Sequence, residues 1–421
     1  MINLLSLPSI NLGGENVDIY SSPKMGFPIG LYANAAEDVS GDLFVWRDPL
    51  GAHKIFYAKT EGNEWIVANR IDEIARRGIR LNAIHSCPGG ALIRVNSEGY
   101  TILNANHPFG LLEDSSVNAE NLFPKVDQRL STAFQRLAQS YQGAKFAVCL
   151  SGGLDSTIIA YYAKKYLPNV TAFSFSFIDS DVKSRFDLAG KKLSEDFLAA
   201  QKIAKALNIS LIPVTRPRSA VLDNISRAVK LGQDPRDFNA HCALINLFLA
   251  ESIRDYYGNE EVVVMTGDLM NEYVCDYKEE LIDGVIYYPQ PKISLARRRR
   301  FFVKGLEAGD REVGVFHSFG LVLVQPYASV VDLYMKLPIK ELERPNAKVL
   351  LNGPLLPKAI LEQLNMAKTR AQVGGSDGGV LGICHRNGVS QEALFSMWMS
   401  SFPNEGVDSV KSLLQVGNYR Y

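Results

Sequence analysis

Over residues 1–112 short apolar runs at 41–46, 54–58, 64–68, 90–95 and 100–103 alternate with clusters of Gly, Asn, Asp and Pro. Runs of that length, so closely spaced, predict strands, and the region reads as a mostly β domain. Residues 113–125 read as a linker, because 113–120 is a polar stretch. From Val126 to Tyr141 the apolar residues Leu130, Phe134 and Leu137 recur at helical spacing. They predict a helix that leads into a second domain, 126–421. There the pattern switches repeatedly between two periods: strand 145–150, helix 155–166, strand 170–177, helix 195–207, strand 209–214, helices 219–230 and 240–254, strand 261–266. Alternation of this kind predicts an α/β fold, a doubly wound parallel sheet with helices on both faces. Beyond 285 the pattern is helical in pieces and runs into a Gly-rich stretch at 374–379.

Composition narrows the function classes. The chain has 421 residues, 47% hydrophobic and 21% charged, with 45 basic residues against 45 acidic ones. Without net charge no global field draws in nucleic acid or an anionic membrane, so neither is an expected partner. Arg297, Arg298, Arg299 and Arg300 form the one basic block, read as a solvated or salt-bridged face or as a contact for a phosphate or an acidic substrate segment. Five cysteines without a CxxC pair make neither a disulfide framework nor a zinc site, and the reading is cytoplasmic. His241–Cys242 and Cys384–His385 are neighbours in sequence and point apart, so they read as packing residues. No basic leader precedes the short apolar stretch at 1–10, and no run has the length of a bilayer span.

The chemistry concentrates at Ser151, Gly152, Gly153, Leu154, Asp155 and Ser156, which follow an apolar run and open a helical pattern. Paired glycines let backbone approach an anion, serines add donors, and the next helix aims its positive end at the bound oxygens. Asp155 beside a phosphate chain is repulsive unless a cation lies between them, which marks it as a magnesium ligand. No Gly-Lys-Ser/Thr ends the loop, so it is not a Walker motif. In a parallel sheet the loop, the end of the strand at 170–177 and the turn Thr266, Gly267, Asp268 meet over one crevice.

The loop resembles the SGGxDS loop of ATP pyrophosphatases, and the motif order resembles the asparagine synthetase superfamily, which includes β-lactam synthetases and lasso-peptide cyclases. Arg47-Asp48-Pro49-Leu50-Gly51 with Ile55-Phe56-Tyr57-Ala58 is similar to the family's RDPLG…LYYA segment. Residues 265–272 are similar to its LSGEGSDE turn, 319–327 to the segment ending in VPFLD, and Lys368 to the lysine of RxK. The resemblance implies a degenerate Ntn-hydrolase-like amino-terminal domain and an ATP-pyrophosphatase (adenine nucleotide α-hydrolase-like) carboxyl-terminal domain. It also implies ATP and Mg2+ as cofactors, and adenylation of a carboxylate followed by amide formation. Leu150, the loop, Phe175, Thr266 and Gly267 would surround the nucleotide, and Lys368 would neutralise the pyrophosphate.

Two departures shape the expectation. Position 2 is Ile2 where glutamine-hydrolysing members carry cysteine, so the amine comes from elsewhere, within the same substrate or from a second one. Asn271 stands where the family has an acidic metal ligand, with Glu272 and Asp276 near it, and Asp268 where synthetases have Glu or Tyr. Asp155 and Asn271 are the metal candidates. Asp268 would orient the amine or take its proton, and Glu307, Asp310 and Glu312 compete for the role of a partner acid, the first two carried forward as candidates. The leading reading is a lactam or macrolactam synthetase of natural-product biosynthesis, acting on a small-molecule or peptide substrate; it leaves room for a homodimer. An intermolecular or ammonia-using ligase, a non-catalytic ATP-binding scaffold and a tRNA-modifying enzyme are the alternatives.

Overall fold

The computed structural model describes residues 1–13, 29–105, 113–178, 193–364, 372–373 and 379–402. Five strands form a wholly parallel sheet in the order Ser210–Pro217, Val170–Ile178, Lys145–Cys149, Val262–Met265, Val322–Val324. Strands covered on both faces must be apolar at nearly every position, and Val262, Val263, Val264 and Met265 are all fully buried. Register decides which face each serves. Phe146, Val148, Val263 and Met265 pack with helices Ala119–Ser140 and Leu154–Tyr166. Ala147, Val262 and Val264 pack on the other side with helices Ala220–Gly232 and Asp237–Tyr257. The chain order along the sheet turns back at Lys145–Cys149, whose neighbours are the second and fourth strands of the set. The crevice of a doubly wound sheet opens above that point.

The molecule is thus α/β, with a strand-rich amino-terminal region and a parallel carboxyl-terminal sheet. Every strand and helix expected between 145 and 266 is present, with no end shifted by more than three residues. Two features depart from expectation. The strand Val322–Val324 has only three residues, too few for a period to show. The long helix starts at Ala119, inside the stretch expected to be a linker. Asn118 and Asn121 cap it reciprocally, each side-chain oxygen accepting the other's backbone N–H at 3.0 and 2.9 Å. Pro124 lies inside this helix, in its second turn.

In the amino-terminal region two four-stranded sheets enclose Leu43, Val45, Tyr57, Trp65, Val67 and Ile93. Leu43–Arg47 buries alternate positions, and the last of them is Arg47, 1% exposed. Buried guanidinium needs acceptors on every side. Arg47 donates to the carbonyls of His53 at 2.7 Å and Cys87 at 2.9 Å, and across to Glu307 O at 2.9 Å. Asp48 accepts the N–H groups of Leu50, Ala52 and His53, which fixes the turn that follows. Lys54 then donates to Gly51 O at 2.9 Å and to Leu306 O at 2.6 Å. The Arg-Asp-Pro-Leu-Gly segment is therefore the clasp between the strand-rich region and helix Leu295–Ala308. No helix among the described residues is long and apolar enough to cross a membrane.

Candidate active site

The six-residue loop leaves strand Lys145–Cys149 and enters helix Leu154–Tyr166 at the crevice. Gly152 has φ +73°, and a Cβ there would lie 2.6 Å from Ala199 Cβ and 2.7 Å from Ala200 N. Left-handed backbone and the lack of room both require glycine. Ser156 Oγ donates to Gly153 O at 3.2 Å and lies 3.0 Å from Ser151 Oγ, so the turn is braced from within. No side chain caps the helix at Gly153. Its first-turn N–H groups are suited to an anion.

The turn after Val262–Met265 closes on this loop. A Cβ on Gly267 would stand 2.7 Å from Ser156 N and 2.9 Å from Asp155 C, so the two backbones touch. Thr266 is buried and donates through Oγ1 to Glu312 Oε2 at 3.3 Å. Leu150 is buried and its N–H bonds Phe173 O at 2.9 Å. Phe175 packs between Phe177 and Phe248, ring centroids 4.9 and 5.8 Å away, and is 8% exposed. Lys368 lies outside the described residues.

Two cationic side chains organise the acids of the segment 266–276. On the loop side, Lys348 Nζ lies 2.6 Å from Asp155 Oδ2, 2.5 Å from Asn271 Oδ1 and 3.0 Å from Asp276 Oδ2. The three residues offer magnesium the oxygen donors it prefers. Their oxygens nevertheless converge on an ammonium, and among the described residues no group of three or more His, Cys, Asp or Glu is arranged to hold a metal. The donors do not fit a divalent ion while Lys348 stands between them.

On the other side, Arg311 reaches three carboxylates: Asp268 at 3.3 Å, Glu272 at 3.1 Å and Glu312 at 3.0 Å. Its guanidinium also lies 5.4 Å from the centroid of the Phe238 ring. Three ionised carboxylates on one guanidinium would leave uncompensated buried charge. Glu312 relieves it: burial, then the neighbouring Asp268, pushes its pKa well above the usual carboxylate range. Gln325 Nε2 donates to Glu312 Oε2 at 2.8 Å, and Tyr277 Oη donates to Glu272 Oε1 at 2.5 Å.

A cleft opens beside this cluster. The rings of Phe238, Tyr277, Tyr288 and Phe302 form an aromatic wall, and Ala52 and Lys54 of the strand-rich region close another side. Burial, then Arg47, pulls Lys54 down to about 7.

Of the three carboxylates that competed as partner acid, Glu312 is the one beside Asp268. Glu307 lies 2.5 Å from both Gly89 N and Lys304 Nζ, at the clasp. Asp310 lines the cleft and its carboxylate accepts the N–H groups of Glu312, Val313 and Gly314, holding helix Val313–His317. Arg311 and Lys348 were not singled out from the sequence. Both lie in stretches without strong periodicity, and only the fold brings them to the 266–276 segment. Burial raises the pKa of Cys87 and Cys384 to about 12, so neither is a ready thiolate.

Residues 125–294 match the family model of asparagine synthase. No curated protein matches the chain. Among solved structures it is similar to an NH3-dependent NAD synthetase from Campylobacter jejuni subsp. jejuni NCTC 11168, at 16% identity over 37% of this chain and 61% of that one, TM-score 0.26. It is also similar to an NMN synthetase from Francisella tularensis, at 14% identity over 69% and 90%, TM-score 0.28. A glutamine-dependent NAD+ synthetase from Acinetobacter baumannii follows at 13% identity over 43% and 32%, TM-score 0.24. The chain spans less than two thirds of the first of these structures, and at such TM-scores the likeness carries no weight for the site. Residues 125–294 are thus similar to asparagine synthase, and within them the loop at 151–156 lies at the turning point of the sheet.

Proposed function

We propose that this protein is an ATP-dependent, AMP-forming amide synthetase that uses no glutamine. A substrate carboxylate oxygen attacks the α-phosphorus of ATP, and the bond to the β-phosphate oxygen breaks to release pyrophosphate. An amine nitrogen then attacks the acyl carbon, the bond to AMP breaks, and the amine loses its proton. A free carboxylate resists such attack because of its own charge, and adenylation supplies the leaving group.

The observation that carries this reading is the backbone contact between Gly267 and the loop at Asp155 and Ser156. It makes the loop, the turn and the acids held by Arg311 parts of one site. In this reading the loop and the first turn of its helix hold the phosphates. Asp268, the least buried of Arg311's three acids, receives the amine proton. Arg311 positions Asp268, and protonated Glu312 keeps that corner from accumulating negative charge. The aromatic wall suits a substrate with an apolar body, and a ring-closing reaction of natural-product biosynthesis is the form we favour.

The test is isotope exchange between pyrophosphate and ATP over a panel of amino acids, amino diacids and short peptides. At least one acid should promote exchange, with amide and AMP formed once its amine is present. Binding of ATP without exchange for any acid would favour a nucleotide-binding scaffold, a reading to which the lysine at Asp155 gives some support. Absence of ATP binding would overturn both.

A further inference from the structure

We propose that the ammonium of Lys348 replaces a resident divalent cation between Asp155 and Asn271, so that the nucleotide's phosphates meet a built-in positive charge there. The inference rests on the ATP-binding reading of the loop.

Three oxygens from separate places converge on Nζ: Asp155 in the first turn of helix Leu154–Tyr166, Asn271 in helix Met270–Val274, and Asp276 just beyond it. An ammonium has three N–H donors, and three acceptors lie at 2.5–3.0 Å. The lysine is not a surface chain that has folded inward. Its side chain is 20% exposed, and its helix, Ala347–Asn352, packs against Ala119–Ser140 and Leu154–Tyr166.

The residue types agree with an ammonium rather than a metal. Asn271 gives a divalent ion a neutral carbonyl where a carboxylate would bind it more strongly. For an ammonium the amide oxygen is a full hydrogen-bond acceptor, and the lost charge is an advantage. With Asn271, one positive charge faces Asp155 and Asp276; an acid at 271 would add a third negative charge to a partly buried site. A divalent ion placed among the same oxygens would confront the lysine at a few ångströms, where like charges repel strongly. Asn271 and Lys348 thus explain each other: the neutral side chain suits a monovalent cation, and the monovalent cation makes a second acid unnecessary. The phosphates then displace part of this shell, and Lys348 moves its donors from Asp155 to the nucleotide.

The full chain is titrated with Mn2+ in saturating α,β-methylene-ATP, and bound ions are counted by electron paramagnetic resonance. Wild type should hold one Mn2+ per chain, the ion carried by the nucleotide. Asn271→Asp should still hold one, since the lysine remains. Lys348→Met combined with Asn271→Asp should hold two, and Lys348→Met alone should weaken nucleotide binding by about tenfold. A second Mn2+ in wild type, lost in Asp155→Asn, would overturn the inference while leaving the ATP reading intact. So would a Lys348→Met protein of unchanged nucleotide affinity and native circular dichroism. The wild-type count needs no variant to fold, and failure of the nucleotide to bind wild type at all would remove the ATP reading together with this one.

Discussion

Arg311 and Lys348 both bind side chains of one short segment, 266–276, Arg311 taking Asp268 and Glu272 and Lys348 taking Asn271 and Asp276. The contrast lies in how each holds them. Arg311 uses a planar fork against three carboxylates and lies over the Phe238 ring, so its direction is fixed by several contacts at once. Lys348 is a point charge on a flexible stem, with one carboxylate, one amide and one half-exposed carboxylate around it. Burial lowers its pKa, and Asp155 and Asp276 outweigh burial and raise it. The first arrangement suits a part that must hold one direction; the second suits one that, in the proposed function, exchanges partners when a phosphate arrives.

The strongest way to break the comparison is to remove the fork. Arg311→Met leaves Asp268, Glu272 and Glu312 facing one another, and should destabilise the fold by about 3–5 kcal/mol in urea unfolding. Arg311→Lys should recover only part of this, because an ammonium cannot reach all three acids in the same geometry. Full recovery would mean that charge alone matters and that the two cations are interchangeable.

A sharper version uses a third buried cation. Lys54 bonds only carbonyl oxygens at the clasp, and burial, followed by Arg47, brings it down to about 7. Between about pH 7 and the ordinary lysine value of about 10.5, the unfolded chain therefore binds a proton that the folded chain does not. Wild-type stability should rise with pH across that window, by at most about 1.4 kcal/mol per unit. Lys54→Met should lack the rise, measured as the difference between urea midpoints at each pH. Parallel curves for the two proteins would show that Lys54 keeps its charge when folded.

The smallest effect concerns Glu312. Its folded pKa is raised by burial and by Asp268, so above about 4.5 the folded chain holds a proton that the unfolded chain has lost. Stability then falls as pH rises towards the folded value, and Glu312→Gln should gain on wild type from pH 5 to pH 8. A variant that loses ground over that range would place a full negative charge on Glu312 in the folded chain.

The sequence disclosed the scaffold more readily than the site. Val262, Val263, Val264 and Met265 are apolar at every step because both faces of the sheet are covered, and Gly152 is glycine because its φ and its neighbours admit nothing else. Both constraints are local and leave a local mark. Arg311, Lys348 and Lys54 owe their roles to residues distant in the chain, and a lone cation in a polar stretch looks the same whether it faces water or three acids. Glu307 shows the converse. It stood in the right stretch for an acid of the site, and its neighbours, Gly89 and Lys304, belong to the clasp.

The guanidinium of Arg47 has a consequence for anyone who shortens the gene. Its bond to Glu307 O, together with that of Lys54 to Leu306 O, ties the strand-rich region to the helix bordering the cleft, and Ala52 and Lys54 themselves form part of the cleft wall. Deleting the first hundred residues would uncover two main-chain acceptors and unroof the cleft, so the strand-rich region is needed as architecture.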